Sequence, residues 1–318
     1  MQTRIRLVAV AAALAVAGVA HAGVAFDANL ELDLTTRSGD TTPAQESLIT
    51  SGRVEINANA ELIKSGDNFV NARASLIVPF STDDGSDDVT MDDVWLQFGN
   101  SAVDLKIGRF EATDLFPVAK DTVLDYAESA GYKANTLRGR IKDGRTHMSA
   151  GFNAGSGLRF ELGLVSEKKD NTSLAYGLRP LVIYNTGALT LRAGLEAYKA
   201  TVGTTEVSFT GTALSAGYAL AKDANVNVNY ASLDGDNKVA DASSLGLNLV
   251  YGPFGIGYIR DTNKAFGTAA QANVDTVYAA YSFPLMGVKG ATITPALSVS
   301  KGEVKDLTAL RVRFNYAF

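Results

Sequence analysis

From residue 23 onward the chain alternates. In Phe26-Asp27-Ala28-Asn29-Leu30-Glu31-Leu32-Asp33-Leu34 the even positions are apolar and the odd ones acidic or amide. A period of two belongs to a β-strand with one face in an apolar phase and the other in water. A second strand repeats it, with Arg53, Glu55, Asn57, Asn59 and Glu61 opposing Val54, Ile56, Ala58, Ala60 and Leu62. Val70–Val78 continues the pattern, followed by Val94–Phe98 and Val103–Arg109 around the turn Gly99-Asn100-Ser101-Ala102. Further on come Thr146–Asn153 with Leu158–Val165, Tyr176–Tyr184 with Leu189–Tyr198, Val207–Leu220 with Asn225–Leu233, and Leu245–Tyr251 with Phe254–Ile259. Val274–Phe283, Ala291–Ser300 and Leu307–Phe318 close the series.

This makes about sixteen strands, an even number, with connections of alternating length. Short turns follow the even strands. Longer polar loops follow the odd ones, among them Thr35–Gly52, Pro79–Thr90 and Phe110–Arg145. Short turns at one end and long loops at the other predict an all-β fold, a transmembrane antiparallel β-barrel crossing an outer membrane. A soluble sandwich also shows short alternating strands. Against it stand the charge on the polar faces and the aromatic residues near strand ends (Tyr176, Tyr184, Tyr218, Tyr230, Tyr251, Tyr258, Tyr281, Phe283), which suit interfacial girdles.

One stretch breaks the rhythm. Phe110 to Leu137 is far longer than the 2–5 residues usual for a hairpin loop. It carries Glu111, Asp114, Asp121, Asp125 and Glu128, with Arg109, Arg138 and Arg140 at its roots. The expectation is an inward-folded third extracellular loop that narrows the pore.

The N-terminus adds the compartment. Arg4 and Arg6 precede an apolar run from Leu7 to Ala20, and Ala20-His21-Ala22 supplies an A-x-A cleavage pattern, so residues 1–22 read as a secretory signal peptide and 23–318 as one barrel domain. The apolar run is short of the ~20 residues a spanning helix needs. Of 29 Lys and Arg, two lie in the leader, which leaves 27 against 34 Asp and Glu, a formal charge of −7. Cysteine is absent, and beyond the leader His147 is the one histidine. That removes thiolate chemistry and argues against histidine-based metal sites and triads. No later run approaches 18 apolar residues, which excludes spanning helices. No Gly-rich phosphate loop or basic–aromatic tract for nucleic acid occurs. Neither a cofactor, a metal nor an enzymatic activity is expected.

The chain ends Leu310-Arg311-Val312-Arg313-Phe314-Asn315-Tyr316-Ala317-Phe318. This terminal strand with its final Phe318 resembles the assembly signal of Gram-negative outer-membrane porins of the trimeric, sixteen-stranded general-diffusion type. Val94-Trp95-Leu96-Gln97-Phe98-Gly99 and Val103-Asp104-Leu105-Lys106-Ile107-Gly108-Arg109-Phe110 are similar to that family's fourth and fifth strands, whose Gly-Arg step precedes the third loop. The P-E-F-G-G motif of enterobacterial porin loops is missing, Phe116-Pro117 being its nearest counterpart. The resemblance implies a homotrimer in contact with outer-membrane lipid and lipopolysaccharide, passing ions and small hydrophilic solutes.

It also implies acidic residues on the inward loop facing basic residues on the wall. Such an arrangement sets a transverse field across a narrow passage. The acidic candidates are Glu111, Asp114, Asp121, Asp125 and Glu128, and the basic candidates Arg53, Arg73, Arg109, Arg138 and Arg140. Arg53 and Arg73 share the parity of the polar face; Arg109 has apolar parity and needs the strand to end before it turns inward. Taken singly, each charge reads as a solvated lumen or loop residue; as a set they favour a constriction. The five loop carboxylates lean the selectivity towards cations. Thr82–Asp88 is rich in carboxylates without the spacing of a calcium loop, and reads as an acidic external loop. Trp95 is expected at the membrane interface and His147 as an ordinary lumenal polar residue. The alternative function is a carbohydrate-preferring porin, with Phe116, Tyr126 and Tyr132 beginning an aromatic track for sugar rings. A plugged, adhesive barrel is a third reading, but it needs longer loops.

Overall fold

A computed structural model describes residues 23–39, 48–82, 88–127, 130–140, 145–168, 173–202, 204–236, 239–264, 271–303 and 305–318. The leader at 1–22, most of the acidic loop at 83–87, and Glu128 lie outside the described residues.

Seventeen β-segments form one antiparallel sheet. They are β1 (Val24–Gly39), β2 (Ile49–Ser65), β3 (Asn68–Ser81), β4 (Thr90–Gly99), β5 (Val103–Arg109), β6 (Arg145–Gly155), β7 (Leu158–Lys168), β8 (Ser173–Thr186) and β9 (Leu189–Val202). Then come β10 (Thr205–Ala221), β11 (Ala224–Asp236), β12 (Asp241–Tyr251), β13 (Phe254–Lys264), β14 (Gln271–Tyr281), β15 (Phe283–Pro284), β16 (Ala291–Gly302) and β17 (Asp306–Ala317). β14 and β15 are one strand interrupted at Ser282, since both pair with β16. The barrel therefore has sixteen staves, each hydrogen-bonded to its sequence neighbour.

The last stave closes on the first, with register Asn29↔Ala317 through Gly39↔Leu307. Phe318 and Ala28 exchange backbone hydrogen bonds of 2.8 and 3.0 Å at the short-turn end. Closure leaves no sheet edge unpaired, which is what permits strands in hydrocarbon. Several staves outrun the alternating stretches of the sequence. β1 continues through Thr35-Thr36-Arg37-Ser38, where a loop was expected, because pairing with β17 satisfies its backbone above the apolar band.

The outward face is a sleeve of Leu, Val, Phe and Tyr; Phe160, Leu214, Leu245 and Leu247 are among its exposed side chains. The girdle aromatics Tyr176, Tyr184, Tyr218, Tyr230, Tyr251, Tyr281 and Phe283 are on this face as expected. Trp95 is not at the interface: it shares lumenal parity with Asp93 and Gln97, and Lys106 lies over its ring at 3.9 Å.

The inward face divides into two arcs. From β7 to β16 small or apolar residues (Val165, Ala175, Leu181, Ala213, Ala231, Ile259, Val274, Ala280, Ala296), all buried, stand among buried polar ones such as Glu161, Arg179, Glu196 and Asp261. From β17 through β5 it carries charge: Arg311, Arg313, Glu31, Asp33, Arg53, Glu55, Arg73, Asp93 and Lys106. A water-filled lumen has no use for Leu181 or Ile259. Something covers them.

Candidate functional site: the lumen

The cover is the segment from Phe110 to Arg140. Its two ends hold each other. Ala112 N–H donates to Arg138 O at 2.7 Å and Arg140 N–H to Phe110 O at 3.0 Å, with a lone bridge between Glu111 and Gly139. Gly139 has φ +135°, and a Cβ there would strike Phe110 O, so the return strand of this neck requires glycine. The Arg109 guanidinium clamps the neck by donating to the carbonyls of Met91, Asp92 and Arg140. Arg109 thus serves the loop's root rather than the lumenal charge set, as its apolar parity foreshadowed.

Beyond the neck the segment follows the inner wall stave by stave. Phe110 stacks on His147 of β6 at 4.0 Å. Thr113 donates to Glu161 of β7 through both N–H and Oγ1. Asn229 of β11 and Asn248 of β12 both donate to Pro117 O. Lys120 reaches Ser282, and Arg311 of β17 donates to Thr122 O. The N–H groups of Asp125 and Ala127 donate to Ser298 and Ser300 of β16, and Arg37 of β1 pairs with Asp125 at 2.7 Å. A segment touching nearly every stave at the same, non-lipid parity of a closed cylinder lies inside it.

Apolar side chains seat it. Leu115, Phe116, Tyr132 and Ala134 are buried against Leu181, Ala213, Ala231, Ile259 and Tyr278, Val123 against Ala280, Ala296 and Ala309, and Ala127 against Val274 and Leu307, while Leu137 is fully buried. Inner-face glycines give them room: a Cβ on Gly194 would meet Leu115 at 2.5 Å, one on Gly246 Phe116 at 2.8 Å, and one on Gly211 the Tyr132 hydroxyl at 1.9 Å.

The tightest fastening is at Glu196 of β9, fully buried. Its carboxylate accepts from Tyr132 Oη at 2.5 Å, Leu137 N–H at 2.8 Å, Arg179 Nε at 3.1 Å and Thr136 N–H at 3.2 Å. Arg179 in turn donates to Thr113 O and Ala134 O, one on each limb of the loop. A buried charge is tolerated only when paired and fully hydrogen-bonded, and here the carboxylate's four acceptor positions are filled. Burial first, then the Glu196 charge, push the Tyr132 phenol up, so it remains a donor throughout the physiological pH range. A second fastening joins Lys133 to buried Asp261 of β13 at 3.3 Å.

Among the described residues, none of the segment's hydrogen bonds or ion pairs reaches β2 or β3. There the wall carries an unbroken chain of ion pairs. Arg311 meets Asp33 at 3.5 Å, Asp33 meets Arg313 at 2.7 Å, and Arg313 meets Glu31 at 3.5 Å. Glu31 meets Arg53 at 3.1 Å, Arg53 meets Glu55 at 3.6 Å, and Glu55 meets Arg73 at 3.6 Å. Arg73 meets Asp93 at 3.6 Å, and Arg140 meets Asp93 at 3.2 Å and Asp92 at 3.0 Å. Five arginines alternate with five carboxylates, so the belt is locally neutral.

The residues singled out from the sequence fall into three groups. Arg53, Arg73 and Arg140 belong to the belt. Glu111 and Asp114 share Arg138, at 3.3 and 3.8 Å, so this arginine neutralises the loop's own acids instead of facing them. Asp125 is taken by Arg37, which the sequence did not mark out. Asp121 is open to the lumen yet hemmed by protein, and desolvation lifts its carboxyl above the ordinary range. His147 is buried beneath Phe110 rather than lining the lumen. Phe116 and Tyr132 are buried against the wall, and Tyr126 is half-buried with the Lys133 ammonium 4.5 Å from its ring centre. Sequence parity carried one missed signal: apolar residues and glycines on the wet face of β7–β16 mark the loop's bed.

Comparison with known proteins adds the following. No family model and no curated protein matches the chain. Among solved structures, it is similar to a form of OmpT, an outer membrane protein of Vibrio cholerae, with loop L8 deleted: TM-score 0.68, 17% identity, covering 93% of this chain and 99% of that one. A multiply substituted mutant of the Rh. blastica porin aligns over 93% of this chain and 100% of its own, with TM-score 0.59 and 15% identity. The fold is that of an outer-membrane porin. A third structure, described under asymmetric conductivity of engineered proteins, matches with TM-score 0.59 at 14% identity over 93% of this chain. At these identities the likeness carries the porin barrel and not its solute.

Proposed function

We propose that this porin-fold chain is a passive outer-membrane channel, neither an enzyme nor a plug. It passes ions and small hydrophilic solutes along the arc of wall that residues 110–140 leave uncovered. The observation that carries the reading is the charge belt of β17–β4 beside that uncovered arc. An apolar loop bed and a charged, water-wet belt in one lumen partition it into a packed half and a passage. In such a passage, fixed charges on both sides order water and favour polar over apolar solutes. The constriction is formed by Glu111, Asp114 and Asp121 on the loop, by Arg53 and Arg73 on the wall, and by Arg140 at the loop's root. The belt is neutral, and Glu111 and Asp114 share one arginine, so the surplus is negative and the preference is for cations, weakly. As in the porins it resembles, the assembly is a homotrimer, embedded among outer-membrane lipid and lipopolysaccharide.

Purified protein in a planar bilayer under a salt gradient tests this. Stepwise openings in threes with a small cation-selective reversal potential are expected, without block by oligosaccharides. Absence of conductance from correctly folded protein overturns the proposal.

A further inference from the structure

Among the described residues, two wall cations at lumenal parity form no ion pair, Lys106 of β5 and Arg192 of β9, and Lys106 is the one beside the belt. Lys106 projects from β5 on the lumenal parity of Asp104, next to the belt. Among the described residues no carboxylate lies within ion-pairing distance of its ammonium. The acids around it are Asp93, Glu161 and Asp104, and each is engaged elsewhere. Asp104 holds Arg159 at 2.8 Å and Gln97 at 3.0 Å, Asp93 holds Arg73 and Arg140, and Glu161 accepts twice from Thr113. What Lys106 touches instead is aromatic: Nζ is 3.9 Å from the centre of the Trp95 ring and 4.7 Å from that of Phe110. Ring faces attract the charge but leave the ammonium's three strong donors without conventional acceptors. Phe110 is immobilised by its stack on His147, so the ammonium is held at a fixed place on the wall.

We propose that Lys106 is an anion-contacting, selectivity-determining residue of this lumen, positioned by Trp95 and Phe110, and that it receives small monoanions such as carboxylates as they pass. The proposal rests on the channel reading above. A paired arginine offers a passing anion a field already cancelled by its neighbour, whereas Lys106 offers a whole charge. It therefore helps to keep the cation preference weak.

The test is the anion-to-cation permeability ratio from reversal potentials, first in a potassium chloride gradient and then in potassium acetate. Lys106→Met keeps the shape and the ring contacts while removing the charge; Lys106→Arg keeps the charge. One unit charge at about 6 Å in a water-like medium corresponds to roughly a threefold change in local ion concentration. Removing the charge lowers the anion and raises the cation by that factor, so the ratio is expected to fall about ninefold in Lys106→Met with both anions, to fall further in Lys106→Glu, and to stay at the parent value in Lys106→Arg. A conducting Lys106→Met channel with an unchanged reversal potential overturns the proposal and leaves the porin reading intact. An equal shift in Lys106→Arg also overturns it, because the effect would then be one of packing. Loss of conductance from the unsubstituted folded protein sinks the porin reading itself.

Discussion

Glu196→Gln probes the loop's fastening with minimal change of shape. The carboxylate accepts four hydrogen bonds, two on each oxygen, from Tyr132, Thr136, Leu137 and Arg179. An amide keeps one acceptor and turns the other position into a donor, so two of the four donors face a donor. Arg179, itself 1% exposed, loses its counter-charge. Removing one partner of a buried ion pair costs about 3–5 kcal/mol. A single hydrogen bond to a charged group contributes about 1.5–3 kcal/mol, and the two effects overlap rather than add. Docking of the loop near Tyr132–Leu137 is therefore expected to weaken by about 3–5 kcal/mol, or two to three and a half decades in the open-to-docked ratio. Sixteen staves paired around a closed circle do not depend on this node, so the barrel survives. Hydrogen exchange at the Thr136 and Leu137 amides reads the docking directly, and should accelerate by that factor, up to the limit set by other opening routes. Single-channel records should show added flicker, since part of the lumen's lining has become mobile. Unchanged exchange at these amides in a correctly folded Glu196→Gln barrel would refute the argument that this node holds the loop.

Two further predictions follow from the same geometry. Gly211→Leu places a side chain where the Tyr132 hydroxyl stands, and a Cβ alone would come within 1.9 Å of it; the loop should be displaced and the conductance altered with the barrel intact, whereas Gly217→Leu on the same stave, clear of the loop, serves as the comparison by conductance. Because desolvation raises the Asp121 carboxyl above its ordinary value of 3.8, that carboxylate takes up its proton at a higher pH than an exposed aspartate. The cation preference should fall as pH is lowered into that range, and Asp121→Asn should remove this step; reversal potentials measured across the acid range decide it.

Strand parity, the even count of staves and the alternation of turn with loop were legible in the chain because they are local consequences of meeting lipid on one side and water on the other. The unusual status of residues 110–140 was legible from length and charge. The pairing of charges was not. Arg138 turning to Glu111 and Asp114, Arg37 reaching Asp125, and Arg109 clamping carbonyls each depend on where a backbone far away in sequence comes to lie. Residue type also misled at the lumen: Phe116 and Tyr132 read as the start of an aromatic track, yet both are core residues.

Alternation alone specifies the barrel, since it needs no knowledge of partners: each strand can satisfy its backbone only by pairing with its neighbours and then by closure. The chain also held, unread, the bed of the loop, in the small and apolar residues on the wet face of β7–β16. Which staves the segment 110–140 bonds to, and which charges pair, was settled by three-dimensional packing. Those outcomes depend on distances of a few ångströms between side chains from strands on opposite ends of the chain, such as Arg313 on Asp33. They depend equally on the buried Arg179–Glu196 pair, whose guanidinium gathers both limbs of the segment 110–140.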